Sequence, residues 1–328
     1  MKVLLTGASS FTGYWFAREL AAAGHHVLAP LRAESAAHYS GIRRERVNRL
    51  ADVAEIHWGA TFGDTQFLAL LADGADLLCH HAARVEDYKS PDFDVVRALQ
   101  ENTHNIRAVV EGAKAAGLKG MLLTGSVFEQ DEGAGELPRR ACSPYGLSKG
   151  LSFQIARYWA ETLGLPIAKF VIPNPFGPYE EPRFCDYLLI RWMQNLAASV
   201  RTPRYLRDNI HVTLLAKAYV SAAERLANSS AFFKCAPSGY TESQGEFALR
   251  FAAEIGRRLG LKCDVVLEEQ SDFSEPLVRL NTERFDAARY SWNEVEAWDQ
   301  LAEYYRRIYP GAQSGLDSPG RNSGDERA

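Results

Sequence analysis

The stretch Met1–Gly13, MKVLLTGASSFTG, constrains the fold of this chain more than any other. Val3, Leu4, Leu5 and Thr6 read as a buried strand that runs into a turn of small residues, and an amphipathic segment, Tyr14–Ala23, follows and stops at Gly24. Strand, tight turn and helix open a βαβ unit. Gly7 lets the backbone turn sharply, and Gly13 lets helix and strand approach closely, so free N–H groups at the helix start can face a pyrophosphate. The turn, with Gly7, Ser9, Ser10, Phe11, Thr12 and Gly13, therefore implies a dinucleotide site. A full glycine fingerprint would place glycine at position 10, where this chain has Ser10. That hydroxyl must either tuck aside or donate to the ligand.

The rest of the first half repeats the pattern. His26–Leu31, Ala54–Trp58, Ala75–His80 and Gly120–Leu123 read as strands two to five, with helical stretches at Asp64–Leu71 and Phe93–Ala116 between them. Strands alternating with helices predict parallel βαβ units with right-handed crossovers. A sixth strand, Ile167–Ile172, precedes the turn-rich Pro173–Pro182, and the residues from 311 onward have almost nothing to bury and are expected to be a disordered tail.

Composition narrows the class of partner. A chain of 328 residues, 46% hydrophobic, can bury one large domain with a smaller lobe, and a net charge of −4 gives no basic field for nucleic acid or an anionic membrane. The five cysteines lack C-x-x-C spacing, and their odd number opposes a disulfide framework. No metal site is expected, since the adjacent pairs His25, His26 and His80, His81 point to opposite faces of a strand. With the first core strand starting at Lys2 and no apolar run of spanning length, a cytoplasmic protein with no membrane partner is expected.

Chemistry enters at Tyr145-Gly-Leu-Ser-Lys149. On a helix, positions i and i+4 share a face, so phenol and ammonium point into the same cleft, and a nearby cation favours phenolate. With 14 tyrosines in the chain such a spacing also arises by chance, so its location gives it weight. It follows Ser143-Pro144, where a helix can begin, and the hydroxyl cluster Thr124-Gly125-Ser126 lies at the end of strand five. C-terminal strand ends line the ligand crevice of an open α/β sheet, so tyrosine, lysine and hydroxyl converge there.

With these motifs the chain resembles the extended short-chain dehydrogenase/reductase family of nucleotide-sugar epimerases, dehydratases and reductases. Besides TGASSFTG and PYGLSK, Leu77–Ala83 looks like the family's strand-four segment beside the cofactor, ENTHNIRAVVEGAKAAG carries its helix asparagine at Asn102, and Asn174–Pro178 resembles its N-x-[YF]-G-P turn. Arg207–Val212 resembles the segment whose arginine meets a substrate diphosphate. The resemblance implies an α/β fold with a Rossmann-like doubly wound parallel sheet and a smaller C-terminal substrate lobe. Residues 1–173 and about 207–235 would bind the dinucleotide, and residues 174–206 and 236–310 would form the lobe.

The resemblance also implies roles. Tyr145 is the general acid or base, Lys149 holds the nicotinamide ribose and depresses the tyrosine pKa, and Thr124 bonds the reacting oxygen, with Ser126 as the fallback. Asn102 supports a proton relay; His80, Ala82, Ala83 and Pro173 lie along the cofactor; Asn174 and Arg207 meet the substrate. At the end of strand two, Ala29-Pro-Leu-Arg32 offers no acid for ribose hydroxyls, whereas Arg32, assisted by Ser35 or Arg43, suits a 2′-phosphate, so NADP is favoured over NAD. Trp58-Gly-Ala60 lacks the aspartate that many relatives place near the adenine.

Gly125-Ser126 stands where sugar dehydratases carry an acidic pair, which leaves hydride transfer with a single proton donor. The expected activity is reduction of a nucleoside-diphosphate 4-ketosugar; the alternative is a nucleoside-diphosphate-sugar 4-epimerase with tightly bound NAD(P), and a non-catalytic NADP sensor or scaffold is a third reading. A homodimer through the helices at Phe93–Ala116 and Tyr145–Leu163 is expected from relatives.

Overall fold

The computed structural model describes residues 1–310 apart from Glu136 and Phe285, so the expected tail at 311–328 lies outside the described residues. Strands β1 (Lys2–Thr6), β2 (His26–Leu31), β3 (Glu55–Trp58), β4 (Leu77–His80), β5 (Gly120–Ser126) and β6 (Ile167–Ile172) are joined by helices α1 (Phe11–Ala22), α2 (Gly41–Leu50), α3 (Thr65–Ala72), α4 (Val95–Asn102), α5 (Ile106–Ala115) and α6 (Pro144–Leu163). Beyond them come β7 (Asn174–Phe176), α7 (Phe184–Met193), β8 (Ala198–Val200), β9 (Leu206–His211), α8 (Val212–Ala227), β10 (Phe233–Cys235), β11 (Tyr240–Ser243), α9 (Gln244–Leu259), β12 (Val265–Leu267), β13 (Val278–Arg279) and α10 (Glu294–Ile308).

The central sheet has seven parallel strands in the order β10-β6-β5-β4-β1-β2-β3. Strand order reverses between β1 and β4, which leaves a crevice at their C-terminal ends. Because both faces are covered, the strands are continuously apolar: Leu4 and Leu78 face one layer with Val109 and Phe153, while Val3, Leu5 and Leu122 face α1 and α8 on the other. Phe16 of α1 stacks on Tyr219 of α8 at 3.9 Å between ring centroids. The Rossmann-like doubly wound sheet expected from the sequence is therefore present.

One predicted helix breaks. The apolar periodicity over Phe93–Ala116 reads as a single helix, but Asn105 adopts φ 49° and divides it into α4 and α5. Tertiary contacts override the local pattern there: Asn105 Nδ2 donates to the Gly63 carbonyl at 2.8 Å, and the Asn102 carbonyl lies 3.2 Å from His80 Nε2. A short polar side chain tolerates the left-handed conformation better than most. Helix α2, whose sequence is mostly charged, was not visible as an apolar stripe; it is anchored by Arg46, Val47 and Leu50.

The chain after β6 builds the smaller lobe. β9 pairs with β7, β11 and β13, β8 pairs with β12, and α7, α9 and α10 close over a core containing Trp192, Phe247, Phe251 and Trp298. The chain returns to the large sheet through α8 and β10. Among the described residues, no helix is long and apolar enough to cross a membrane.

Candidate active site

One cleft of about 1730 Å³ runs from the β1–α1 turn, along the ends of β4 and β5, into the smaller lobe. At its first end the turn is built by exclusion. A Cβ on Gly13 would sit 2.1 Å from the Gly7 carbonyl oxygen, and one on Gly7, at φ 77°, 2.8 Å from the Ala82 nitrogen. Only bare backbone allows that approach. Ser10 is the N-cap of α1: its hydroxyl donates to the Gly7 carbonyl at 2.8 Å and accepts from Gly13 N–H at 3.1 Å. The hydroxyl is thus tucked aside, and it also lies 3.1 Å from His81 Nε2. The cap leaves the N–H groups of Phe11 and Thr12 as the open donors of the helix start, the arrangement a pyrophosphate requires.

The cradle fits a dinucleotide along its whole length. Ser9, Phe11, Thr12, Arg32, His80, Ala82, Ala83, Asn102 and Pro173 all line the cleft, whereas Gly13 packs beneath the turn. Arg43 donates to Ser9 Oγ at 2.9 Å and stacks over the Tyr39 ring. Arg32 is more than half exposed, with Glu86 3.7 Å away. His80 bonds Thr6 Oγ1 at 2.9 Å, and burial followed by the Lys149 charge pushes the pKa of both His80 and His81 down to about 3. Both rings are therefore neutral. The Asn102 side chain is engaged on both sides, accepting from Arg84 N–H at 2.8 Å and donating to Ser152 at 3.2 Å.

The residues expected to transfer the proton line the middle of the cleft. Ser143 caps α6 and Pro144 occupies its first turn, which sets Tyr145 and Lys149 on the face toward β5. Lys149 Nζ donates to the Thr124 carbonyl at 2.6 Å. Burial pulls the Lys149 pKa down to about 8 against the pull of Glu129, while burial, Glu129 and Tyr88 push the Tyr145 phenol upward and Arg183 opposes them, so the depression of the phenol by Lys149 expected from the sequence is not found: burial outweighs it. Edge contacts from Tyr88 and Phe93 fix the Tyr145 ring. The Thr124 hydroxyl is buried and makes no hydrogen bond of good geometry, though the Tyr219 hydroxyl interacts with it, whereas Ser126 Oγ accepts from Phe128 N–H at 3.2 Å. A buried hydroxyl so weakly engaged gains from a better partner such as a reacting oxygen.

The far end differs from expectation. Asn174 and Arg207 line the cleft, but both terminal nitrogens of Arg207 are already engaged: Nη2 by Glu275 at 2.9 Å and Nη1 by the carbonyls of Leu206, Pro276 and Leu277. Arg183, by contrast, is exposed in the cleft and lies over the Tyr88 ring. Residues that no motif marked also matter. Arg46, fully buried, donates to the Ser9 carbonyl at 3.1 Å, to the Tyr179 carbonyl at 2.7 Å and to Glu181, joining the phosphate turn to the smaller lobe. Its only signal in sequence is a charged residue at an inward position of α2. Among the described residues, no cluster of His, Cys, Asp or Glu is arranged to hold a metal ion.

A profile of the NAD dependent epimerase/dehydratase family matches residues 3–233. The chain belongs to that family. Its enzyme class is thus the one the motifs implied. A search of curated proteins gave no match. Among solved structures, a UDP-glucuronic acid 4-epimerase from Bacillus cereus, in complex with UDP-glucuronic acid and NAD, is 17% identical, with 94% of this chain and 100% of that one covered and a TM-score of 0.70. A UDP-glucose 4-epimerase from Thermotoga maritima with UDP-glucose is 16% identical over 94% and 99% at a TM-score of 0.68, and a UDP-glucose 4-epimerase from Stenotrophomonas maltophila with bound NAD and formylated UDP-arabinopyranose is 21% identical over 95% and 99% at 0.69. At these identities the likeness is one of fold.

Proposed function

We propose that the protein is a nucleoside-diphosphate-sugar 4-epimerase that oxidises and re-reduces one sugar carbon. The reading rests on one observation: Tyr145, Lys149 and Thr124 all line the cleft where it passes from the β1–α1 turn to the smaller lobe, with Lys149 bonded to the Thr124 carbonyl. The carboxylate nearest in sequence to the β5 end, Glu129, is held by Ser126 N–H and Lys169 and is not available for dehydration. The reductase expected from the sequence gives way to its alternative, which the 4-epimerases among the structural neighbours support.

A bound nicotinamide supplies reversible hydride acceptance. Tyr145 takes the proton of the sugar hydroxyl and later returns it, Thr124 bonds the reacting oxygen, and Lys149 holds the ribose. Ser126, with its oxygen already accepting a backbone N–H, is the weaker partner. At the adenosine end Arg32 and Arg43 flank the cleft and β2 offers no carboxylate, so the proposed dinucleotide is NADP. NADP also brings external reducing power, which is the observation that keeps a reductase as the second reading. The proposed assembly is a homodimer through α4 and α6, where Val96 and Tyr158 are exposed.

The test loads the protein with NADP or NAD and follows UDP-glucose and UDP-glucuronic acid by NMR. Epimer formation without net change in cofactor supports the proposal. Stoichiometric NADPH consumption with 4-ketosugars would establish the reductase instead, and absence of any turnover unaffected by Tyr145→Phe would leave a binding protein.

A further inference from the structure

Behind Tyr145 and Lys149 lies a set of buried charges with no part in the reaction just described. Glu129 is fully buried; its Oε1 accepts from Ser126 N–H at 2.7 Å and its Oε2 from Lys169 Nζ at 2.5 Å. Lys169, on β6, also donates to Glu132 at 2.6 Å, and Glu132 accepts from Lys234 at 2.9 Å. Gly125 makes room for the pair, and Gly150 borders it at ordinary contact distance. A Cβ on Gly125 would lie 2.6 Å from Lys169 Cε and 2.9 Å from Glu129 Oε1, and one on Gly150 would lie 3.8 Å from Glu129 Oε2. Gly125 adjoins Thr124 and Gly150 adjoins Lys149, so the carboxylate is wedged between the strand end and the helix that carry the reacting groups. Arg279 fixes it from beyond, donating to the carbonyls of Glu129 at 3.4 Å and Glu132 at 3.2 Å.

Buried ion pairs are poor stabilisers, because desolvation consumes most of their attraction. A pair retained against the proton-transfer site invites another role. We propose that Glu129 and Lys169 are positioning residues that set the protonation balance of Tyr145 and Lys149: the carboxylate holds the lysine as ammonium and the tyrosine as phenol, and Lys169 limits that bias. The inference rests on Tyr145 and Lys149 being the proton-transfer pair. Lys149 faces Glu129, Lys169 and the neutral His80 and His81; Tyr145 faces Glu129, Tyr88 and Arg183. Of these, Glu129 is the anion that acts on both, drawing the Lys149 pKa up while Lys169 draws it down.

The experiment titrates Lys149 directly, using protein labelled with carbon-13 at lysine Cε and the resonance assigned by its loss in Lys149→Met. Glu129→Gln is expected to lower the titration midpoint by about one pH unit or more, and Lys169→Met to raise it. Glu129→Asp, which keeps the carboxylate but withdraws it from Gly150, is expected to move the midpoint less and in the direction of Gln, and it serves as the reading variant if the Gln protein does not fold. Opposite shifts are not produced by a merely structural role. An unmoved midpoint in the Glu129 variants, or a fall in Lys169→Met, overturns the inference. The titration uses no ligand, so failure of epimerase turnover overturns the proposed function and leaves this measurement readable.

Discussion

The Lys149 ammonium donates to the Thr124 carbonyl at 2.6 Å, so the helix bearing Tyr145 is tied to the strand end bearing Thr124. The tie has an energetic cost. A lysine whose folded pKa is about 8 gives up its proton before the unfolded chain does, so its charge destabilises the fold fully below pH 8 and progressively less as pH rises toward 10.5. At about 1.4 kcal/mol per pH unit the penalty approaches ~3 kcal/mol, and the lost charged hydrogen bond returns about half of it. Lys149→Met should therefore be more stable than wild type by about 1–2 kcal/mol at pH 7, with the difference shrinking above pH 8, while turnover falls by about two orders of magnitude or more. Urea unfolding across pH 6–10 checks the sign.

The two hydroxyls on β5 should separate in kinetics. Thr124→Ala removes a weakly engaged hydroxyl from the cleft lining and is expected to lower kcat by roughly 10- to 100-fold with little change in melting temperature. Ser126→Ala deletes an acceptor of Phe128 N–H, so its expected effect is a small loss of stability, about 1 kcal/mol, with kcat within a few-fold of wild type. Equal losses of kcat would remove the distinction.

At the phosphate turn, Ser10→Gly is expected to leave dinucleotide affinity within about threefold, because the hydroxyl serves the helix cap, and to cost a few tenths of a kcal/mol. Gly13→Ala should abolish binding, since its Cβ would stand 2.1 Å from the Gly7 oxygen. NADPH fluorescence titration of both variants decides.

Cofactor choice tests the end of β2. Arg32→Ala combined with Arg43→Ala is expected to weaken NADPH binding by roughly 10- to 100-fold more than NADH binding, as charge-assisted bonds to a phosphate are lost. Equal weakening would assign those arginines to the turn, where Arg43 already holds Ser9.

The large sheet was legible because parallel strands buried on both faces write continuous apolar runs, and TGASSFTG and PYGLSK sit at fixed offsets from them. What the sequence did not display depends on contacts across long separations. Asn105 lies inside an unbroken apolar period, and only Gly63, from the turn before α3, and His80, from β4, divide the helix. Glu129, in the turn after β5, and Lys169, inside β6, are forty positions apart and meet. Arg207 was recognised by its motif, but the glutamate that occupies it comes from a loop of irregular sequence.

Arg46 has a consequence for anyone who would transplant one half of this molecule. A single guanidinium, sealed from water, grips the backbone of the dinucleotide turn and the backbone of the segment that opens the sugar pocket. The two sites consequently share one fastener, and a chimera that exchanges the smaller lobe for a relative's will disturb cofactor grip unless the incoming segment offers a carbonyl and a carboxylate where Tyr179 and Glu181 now stand.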